Sequence, residues 1–404
     1  MKALVLVRAA HDLYLLYKTL IQNKNGIIYN MAWPIPDIPE KYSFPKPKIW
    51  LWIVVLLVIQ TFGFITSMWV FKTTNYDAIL LSGVLSAFLL WLCIFGVVFN
   101  RYEQSSNARI SWEAERERTK AEWQQWSRRQ LAVVGNVLFS PEENGMESLL
   151  GEFEDVPAYP EKARPLFNSP CIYASLMRKI DLNLEQQYPR YRNLMHAIYV
   201  LQASGRYDKK SNKAIFQQWD LVPDIIDPTQ PLHSLFDSHD SDGLVLIICF
   251  QNWSALAAGE VSEFISAQLM AMPKYARQHS IPVIAGLNRI MPLEAGSFKK
   301  DLDMFFEYSQ AGKQDLEYIW LSGNTEKTTA EIMQYATDTQ WLLPNSQPLR
   351  SVDFSFGPPG EMALPLGIAM MVEVANKKDK DQLFIYQTPH QTGALCLITR
   401  ELYL

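Results

Sequence analysis

Two stretches of the chain, Ile49–Phe71 and Ala78–Phe99, carry no charged side chain. At 1.5 Å per residue, each is long enough to cross a hydrocarbon layer about 30 Å thick as a helix. Gln60, Thr61 and Ser67 are among the few polar interruptions of the first. Trp50, Trp52 and Trp69 lie near its ends, where amphipathic rings favour a membrane interface. The connection Lys72–Asp77 is too short for a domain, so the two stretches predict a transmembrane hairpin (49–71 and 78–99). Lys41, Lys46 and Lys48 precede it, Arg101, Arg109, Arg116, Arg118 and Lys120 follow it, and Lys72 is the one basic residue in its turn. This asymmetry places both termini in the cytoplasm. Neither stretch holds an acidic or basic side chain, so the hairpin reads as an anchor rather than an ion path.

Around the hairpin the pattern is polar. Residues 1–48 read as a cytoplasmic segment without a signal peptide, because Ala3–Val7 is too short an apolar run and Arg8 follows it. Leu13–Ile21 predicts a short amphipathic helix, and Trp33–Pro47, with five prolines, an extended linker. Residues 104–130 predict a polar connecting helix, since Gln104–Arg129 contains no glycine or proline. Trp112, Trp123 and Trp126 fall on roughly one of its faces, which leaves open a plain stalk or a partner-binding helix.

From Leu131 onward, apolar runs alternate with helical stretches. Leu131–Phe139 predicts a strand covered on both faces, followed by a turn at Ser140–Gly145 and a helix from Met146. Gly243–Phe250, Ile281–Leu287, Leu316–Leu321, Leu349–Phe356, Leu383–Gln387 and Gly393–Leu402 predict further strands. Cys171–Gln186, Ala258–Gln278, Thr325–Gln340 and the strongly apolar Met362–Asn376 predict helices. The alternation implies an α/β domain with a mixed, largely parallel sheet and helices on its faces.

Composition narrows the chemistry. Net charge is −5, which gives no reason to expect nucleic acid as a partner. The four cysteines, Cys93, Cys171, Cys249 and Cys396, show no metal or disulfide spacing and suit a reducing compartment. His233 and His239 lie near Asp237 and Asp240, a stretch that reads as an exposed turn rather than a metal site. Gly357–Gly360 opens a helix and reads as a tight turn rather than an anion site, with Glu361 beside it. No Walker, GxGxxG, GxSxG or HExxH motif occurs, so no cofactor or metal is expected.

LAVVGNVLFSPEENGMESLL (Leu131–Leu150) is similar to the opening VVVTGLGVVSPLGNG strand and turn of the β-ketoacyl synthases, and three later segments resemble that family in the right order. DLEYIWLSGNT (Asp315–Thr325) resembles the AHGTGT segment, and SVDFSFGPPGEMALPLGIAMMVEVA (Ser351–Ala375) the TKSxxGHTLGAAGALGLA strand, loop and buried helix. YQTPHQTGALCLI (Tyr386–Ile398) resembles the closing SFGFGGTNAALVL. The resemblance implies a thiolase-like fold of mixed sheets layered with helices, its halves at 131–255 and 256–404, and a homodimer. It also implies where the family's reactive groups would fall. The two catalytic histidines would be Ser322 and Pro358, the lysine Asp353, and the glycine-rich gate Thr388-Pro389-His390-Gln391. Leu221–Asp242, where the nucleophile would lie, holds no cysteine. No catalytic residue is therefore expected, because serine, proline and aspartate cannot do the work of two imidazoles at an oxyanion.

Two classes of function follow. In the first, the chain is a pseudoenzyme, a non-enzymatic adaptor or scaffold that binds another protein. Its plan is similar to that of the adaptors for lipase effectors of the bacterial type VI secretion system. That resemblance implies an inner-membrane protein that captures a phospholipase effector and passes it to the secretion spike. In the second, it is a divergent membrane-associated acyltransferase or condensing enzyme using Cys171 or Cys249.

Overall fold

The computed structural model describes residues 33–71, 76–151, 156–159, 162–168, 172–202, 209–226, 236, 243–253, 261–294, 296–309, 312, 316–343, 348–358, 360–388 and 393–403. The chain divides into two units: Met1–Pro34 with Gln124–Leu404, and Ile35–Trp123.

The smaller unit is built on two long helices. The first, α1, is Ile49–Phe71. The second begins with a helical turn at Tyr76–Ile79, widens into a π-helical turn at Leu80–Leu85, and continues as α2, Ser86–Ser127. Both are long and apolar enough to cross a membrane. Their apolar side chains face outward: Leu57, Val58, Phe62, Leu81 and Leu89 are all more than half exposed. The sequence predicts a separate polar helix from residue 104, but the helix runs through that point unbroken. Asn100–Glu103 contains neither proline nor glycine, so nothing there interrupts the hydrogen-bond ladder.

Small residues hold α1 to the turn before α2. A Cβ on Gly83 would come within 2.7 Å of the Gly63 carbonyl and of Ser67 Cβ, and one on Gly63 within 2.7 Å of Ala87 Cβ. Gly63/Ser67 and Gly83/Ala87 are thus paired small residues four apart, which lets the two backbones approach closely. The Ser67 and Ser82 hydroxyls meet at 2.9 Å, and Trp91 Nε1 donates to the Trp52 carbonyl at 2.9 Å. The proline-rich linker is extended and lies along α2. Trp112 Nε1 donates to the Pro39 carbonyl (3.0 Å), Arg116 pairs with Glu40 (3.3 Å), and Ser105 Oγ accepts from the Phe44 amide (2.9 Å).

Among the described residues the larger unit contains one sheet of eleven strands. They are β1 Gln130–Phe139, β2 Met195–Gln202, β3 Asp224–Ile226, β4 Leu244–Gln251, β5 Phe264–Ala271, β6 Ala285–Asn288, β7 Met291–Leu293, β8 Ile319–Gly323, β9 Leu349–Ser351, β10 Gln382–Gln387 and β11 Gly393–Thr399. Their order is β3-β2-β4-β5-β1-β6-β11-β10-β8-β9, with β7 paired to β11. The order conceals a duplication. From the outside in, the first half reads β3, β2, β4, β5, β1, with two parallel pairings followed by two antiparallel ones. The second half reads β9, β8, β10, β11, β6 with the same sequence of pairings. The innermost strands, β1 and β6, join antiparallel from Gln130↔Asn288 to Val133↔Ala285, as a two-fold relation between the halves requires.

Several sequence-based expectations change here. The helix expected at Ala258–Gln278 is strand β5 and a short helix, Pro273–Gln278. All of β5 is buried between β1 and β4, so pairing and burial outweigh the helical propensity of its Ala, Gln, Leu and Met residues. Because β5 completes the first half, the boundary between halves falls after Ala271 and not at 255/256. The strand expected at Leu349–Phe356 stops at Ser351, whose hydroxyl accepts from the Phe354 amide and caps a short helix, Val352–Phe356. The helix expected from Met146 is a single 3-10 turn, Gly145–Leu149. The expected helix at Leu13–Ile21 and the turn residues 72–75 lie outside the described residues.

Among the described residues the remaining α-helices are α3 Tyr173–Gln187, α4 Lys209–Trp219, α5 Pro273–Gln278, α6 Phe298–Tyr308, α7 Thr325–Thr339, α8 Val352–Phe356 and α9 Ala363–Lys378. On β4, Val245, Ile247 and Cys249 join the core on the α9 side, while Leu246, Ile248 and Phe250 join the core on the α3 and α4 side. Strand and helix thus stack in layers. The polar exception beneath α3 is satisfied. Asp181 accepts from Tyr191 (2.8 Å), Arg192 (2.7 Å) and Gln218 (3.1 Å), and Trp219 donates to Tyr191 (2.6 Å).

Trp33 belongs to this unit although it precedes α1 by a linker. It is 3% exposed, donates to the Ile290 carbonyl at 3.1 Å, and packs edge-on against Trp126 (6.0 Å) and against Phe305 (5.8 Å). The buried Arg289 guanidinium stacks on the other ring, Trp126, at 4.1 Å. Replacing Trp33 with alanine empties that niche. It is expected to destabilise the full chain in detergent by about 3–5 kcal/mol, measured by chemical denaturation.

Candidate functional site

The polar side chains with the most unusual surroundings gather where β8 and β10 end and α8 begins. β8 and β10 are parallel, so their carboxyl ends, Ser322-Gly323 and Tyr386-Gln387, lie side by side. Asp353, in the first turn of α8, reaches back to both residues of β8. Its carboxylate accepts from Ser322 Oγ at 2.7 Å and from the Gly323 amide at 2.6 Å. Gly323 has φ +88°, and a Cβ there would collide with the Gln387 carbonyl, so only glycine serves at this position. The Gln387 carbonyl also accepts from the Asn324 amide (2.7 Å), and its side chain accepts from Thr328 (2.6 Å).

The loop after α8 is tied to the first half. Ser262 donates its amide to the Pro358 carbonyl (2.8 Å), and Gln251, the last residue of β4, donates to the Ser262 carbonyl (2.6 Å). Arg164 ion-pairs with Glu142 (2.5 Å), donates to the Ser355 carbonyl (3.1 Å), and stacks on Tyr159 (3.9 Å). The carboxyl ends of strands from both halves therefore meet around Asp353.

Electrostatically the site is a half-buried acid. Burial lifts the Asp353 carboxyl from 3.8 to about 6, against the pull of the Gly323 amide and the Ser322 hydroxyl. The neighbouring Tyr386 phenol is also raised, first by burial and then by the charges of Asp353 and Glu361. Cys249 and Cys396 are both pushed far above the usual thiol range by burial, with Ser266 partly offsetting this at Cys249. Such thiols stay protonated and are poor nucleophiles.

The structure thus brings together two of the positions singled out by resemblance, Ser322 and Asp353, and spends them on each other. Pro358 stands on the same loop and accepts only through its carbonyl. Thr388 ends the described part of the expected gate; Pro389, His390 and Gln391 lie outside the described residues, as do Cys171, His233, His239, Asp237 and Asp240. Among the described residues no group of three metal-ligating side chains converges. Sequence reasoning did not single out Gly323 or Gln387; a glycine directly after a buried strand serine was the available signal.

Comparison with solved structures places the fold. A type II PKS ketosynthase in complex with its acyl-carrier protein (AntDE:AntF) matches at TM-score 0.50 and 7% identity, over 68% of this chain and 100% of that one. An oxazolomycin ketosynthase domain, OzmH, of Streptomyces albus matches at TM-score 0.47 and 12% identity, over 68% and 96%. OleA of Xanthomonas campestris matches at TM-score 0.45 and 8% identity, over 67% and 99%. No family model and no curated protein matches the chain. The domain after the hairpin has a thiolase-like fold, which the duplicated strand order also describes.

The half-buried acid should show in the pH dependence of stability. Below pH 3.8 Asp353 is neutral in both folded and unfolded chains, and its contribution to stability is fully present. As pH rises from 3.8 to about 6 the unfolded chain loses the proton first, and that contribution is lost. Asp353→Asn keeps an acceptor for Gly323 and removes the charge. It is expected to flatten the pH 4–6 slope and to stabilise the chain at pH 7 by on the order of 1–3 kcal/mol, read by denaturation across pH.

Proposed function

We propose that this chain is a membrane-anchored, non-enzymatic adaptor whose thiolase-like domain binds a protein partner through its exterior. The observation that carries the reading is the closed contact at Asp353. Where the resemblance calls for an imidazole with free hydrogen-bonding capacity, Ser322 donates to a carboxylate. The adjacent backbone donor, Gly323, is occupied by the same carboxylate. An oxyanion needs donors aimed at open space, and these two point into a side chain. Cys249 and Cys396, each 1% exposed or less, offer no thiolate in place of the missing site.

The partner we propose is a phospholipase effector, passed on to the spike of a type VI secretion machine in a bacterium. The anchor is the α1–α2 hairpin in the inner membrane, crossed twice, with the domain in the cytoplasm. Two features support this topology. Basic residues dominate the flanks, and Trp33, before the hairpin, packs on Trp126, after it. Residues that share one folded niche lie on one side of a membrane, so the chain between them crosses an even number of times. A homodimer is the proposed assembly, by likeness of fold.

The test uses the full chain in detergent, mixed with the phospholipase effector. Binding is expected to be unchanged when Cys93, Cys171, Cys249 and Cys396 are all replaced by alanine, and no acyl transfer from thioester donors is expected from either form. Cysteine-dependent acyl transfer would overturn the reading in favour of an enzyme. For the topology, reporters placed in the 72–77 turn and after Leu404 should report opposite sides of the membrane.

A further inference from the structure

We infer that the base of the hairpin is a binding collar for anionic phospholipid headgroups, formed by Lys46, Lys48 and Arg101. The inference rests on the membrane reading above and goes further, to the class of lipid the anchor selects. Lys48 immediately precedes α1, and Lys46 is two residues before that. Arg101 is two residues past Phe99, about 3 Å along α2. A headgroup layer is about 5–8 Å deep on each side of the hydrocarbon, so all three cations fall within it.

They also converge. The Phe44 amide donates to Ser105 at 2.9 Å and the Arg101 guanidinium lies 6.0 Å from the Phe44 ring. The linker carrying Lys46 and Lys48 is thereby held against the segment of α2 carrying Arg101. All three side chains are exposed, and among the described residues none of them forms an ion pair. Glu103 is the single carboxylate at that depth.

The charge pattern changes with height. Further along α2, Arg109 pairs with Glu113 (3.5 Å) and Arg116 with Glu40 (3.3 Å), while Lys41 sits over Trp112 at 5.8 Å. Arg109 and Arg116 are thus paired with carboxylates, whereas among the described residues Lys46, Lys48 and Arg101 at the base are not. Tyr42 and Phe44, 92% and 58% exposed, flank the open cations. Aromatic rings beside unpaired cations at a span's edge suit a lipid surface, where one end is apolar and the other anionic. At the opposite end of the hairpin the turn carries one cation, Lys72, and one carboxylate, Asp77, which balance in charge. The collar therefore fits the negatively charged leaflet and holds the hairpin at a set depth. A soluble phosphate would make the same charge contacts without using the flanking rings, which favours the lipid.

The experiment purifies the full chain from mixed micelles of phosphatidylcholine with a minor share of phosphatidylglycerol and quantifies the co-purifying lipid by mass spectrometry. Phosphatidylglycerol is expected to be enriched over its share. Each of Lys46→Gln, Lys48→Gln and Arg101→Gln is expected to lower the enrichment, by up to about fivefold per cation. Excess glycerol phosphate should leave it unchanged. Equal enrichment in the triple variant, no enrichment in the wild type, or displacement by glycerol phosphate overturns the inference. Alkaline carbonate extraction of membranes separates the two readings. A chain that stays in the pellet without lipid enrichment sinks the collar alone, whereas a chain that is extracted sinks the membrane reading as well. The triple variant should stay in the pellet and keep the wild-type thermal transition, because none of its three side chains packs in the core.

Discussion

The hydrogen-bonded seam between β1 and β6 is the constraint on which the larger unit depends. A five-stranded sheet with two antiparallel inner strands leaves an unpaired inner edge, and an edge buried in a domain is costly. Each half supplies that edge to the other. At the seam Gln130 donates to Asn288 (2.7 Å) and Thr399 (2.6 Å) and accepts from the Tyr403 amide (2.7 Å). Gly286 leaves room for this, since a Cβ there would lie 2.7 Å from both Gln130 and Thr399. Joining the halves creates a sheet wide enough to be covered on both faces. That in turn makes room for α9, which is buried almost throughout and presses Gly367 against the Phe384 ring.

The same layering places the polar cluster. Parallel strands β8 and β10 end together, and β4 of the other half ends nearby, so the fold delivers several strand ends to one place. In this chain those ends are occupied by Ser322, Gly323, Asp353, Gln387 and Gln251, whose hydrogen bonds run to one another, to neighbouring backbone or, from Gln387, to the Thr328 hydroxyl. The strand ends form a meeting point at which these donors and acceptors are used internally. The sheet needs only burial and pairing, whereas chemistry needs particular side chains left open.

Much of the architecture was legible from the chain itself. The two long apolar helices could be read from their charge-free runs. β4 and α9 could be read because continuous apolar runs bounded by polar residues imply burial on all sides. The tryptophans of α2 also signalled packing, and the structure supplies the surfaces: the chain's own linker at Trp112, and Trp33 with Arg289 at Trp126. β2, β3 and β7, and helices α4 and α6, were not singled out; β3 and β7 are three residues each, too short to show a period. At the site, Ser322 and Asp353 could be named only through resemblance, because 31 residues separate them and no local pattern links them.

Taken alone, the sequence determined where lipid-length apolar helices lie, that an α/β domain follows them, and that the four cysteines carry no metal spacing. These depend on composition over short windows, which local physics decides. Tertiary structure decided that Phe264–Ala271 is a strand, that the two halves meet at β1 and β6, and that Asp353 closes on Ser322 and Gly323. Each of those is a contact between segments distant in the chain. Its free energy comes from burial and pairing that exist only once both segments are in place, so no window of sequence contains it.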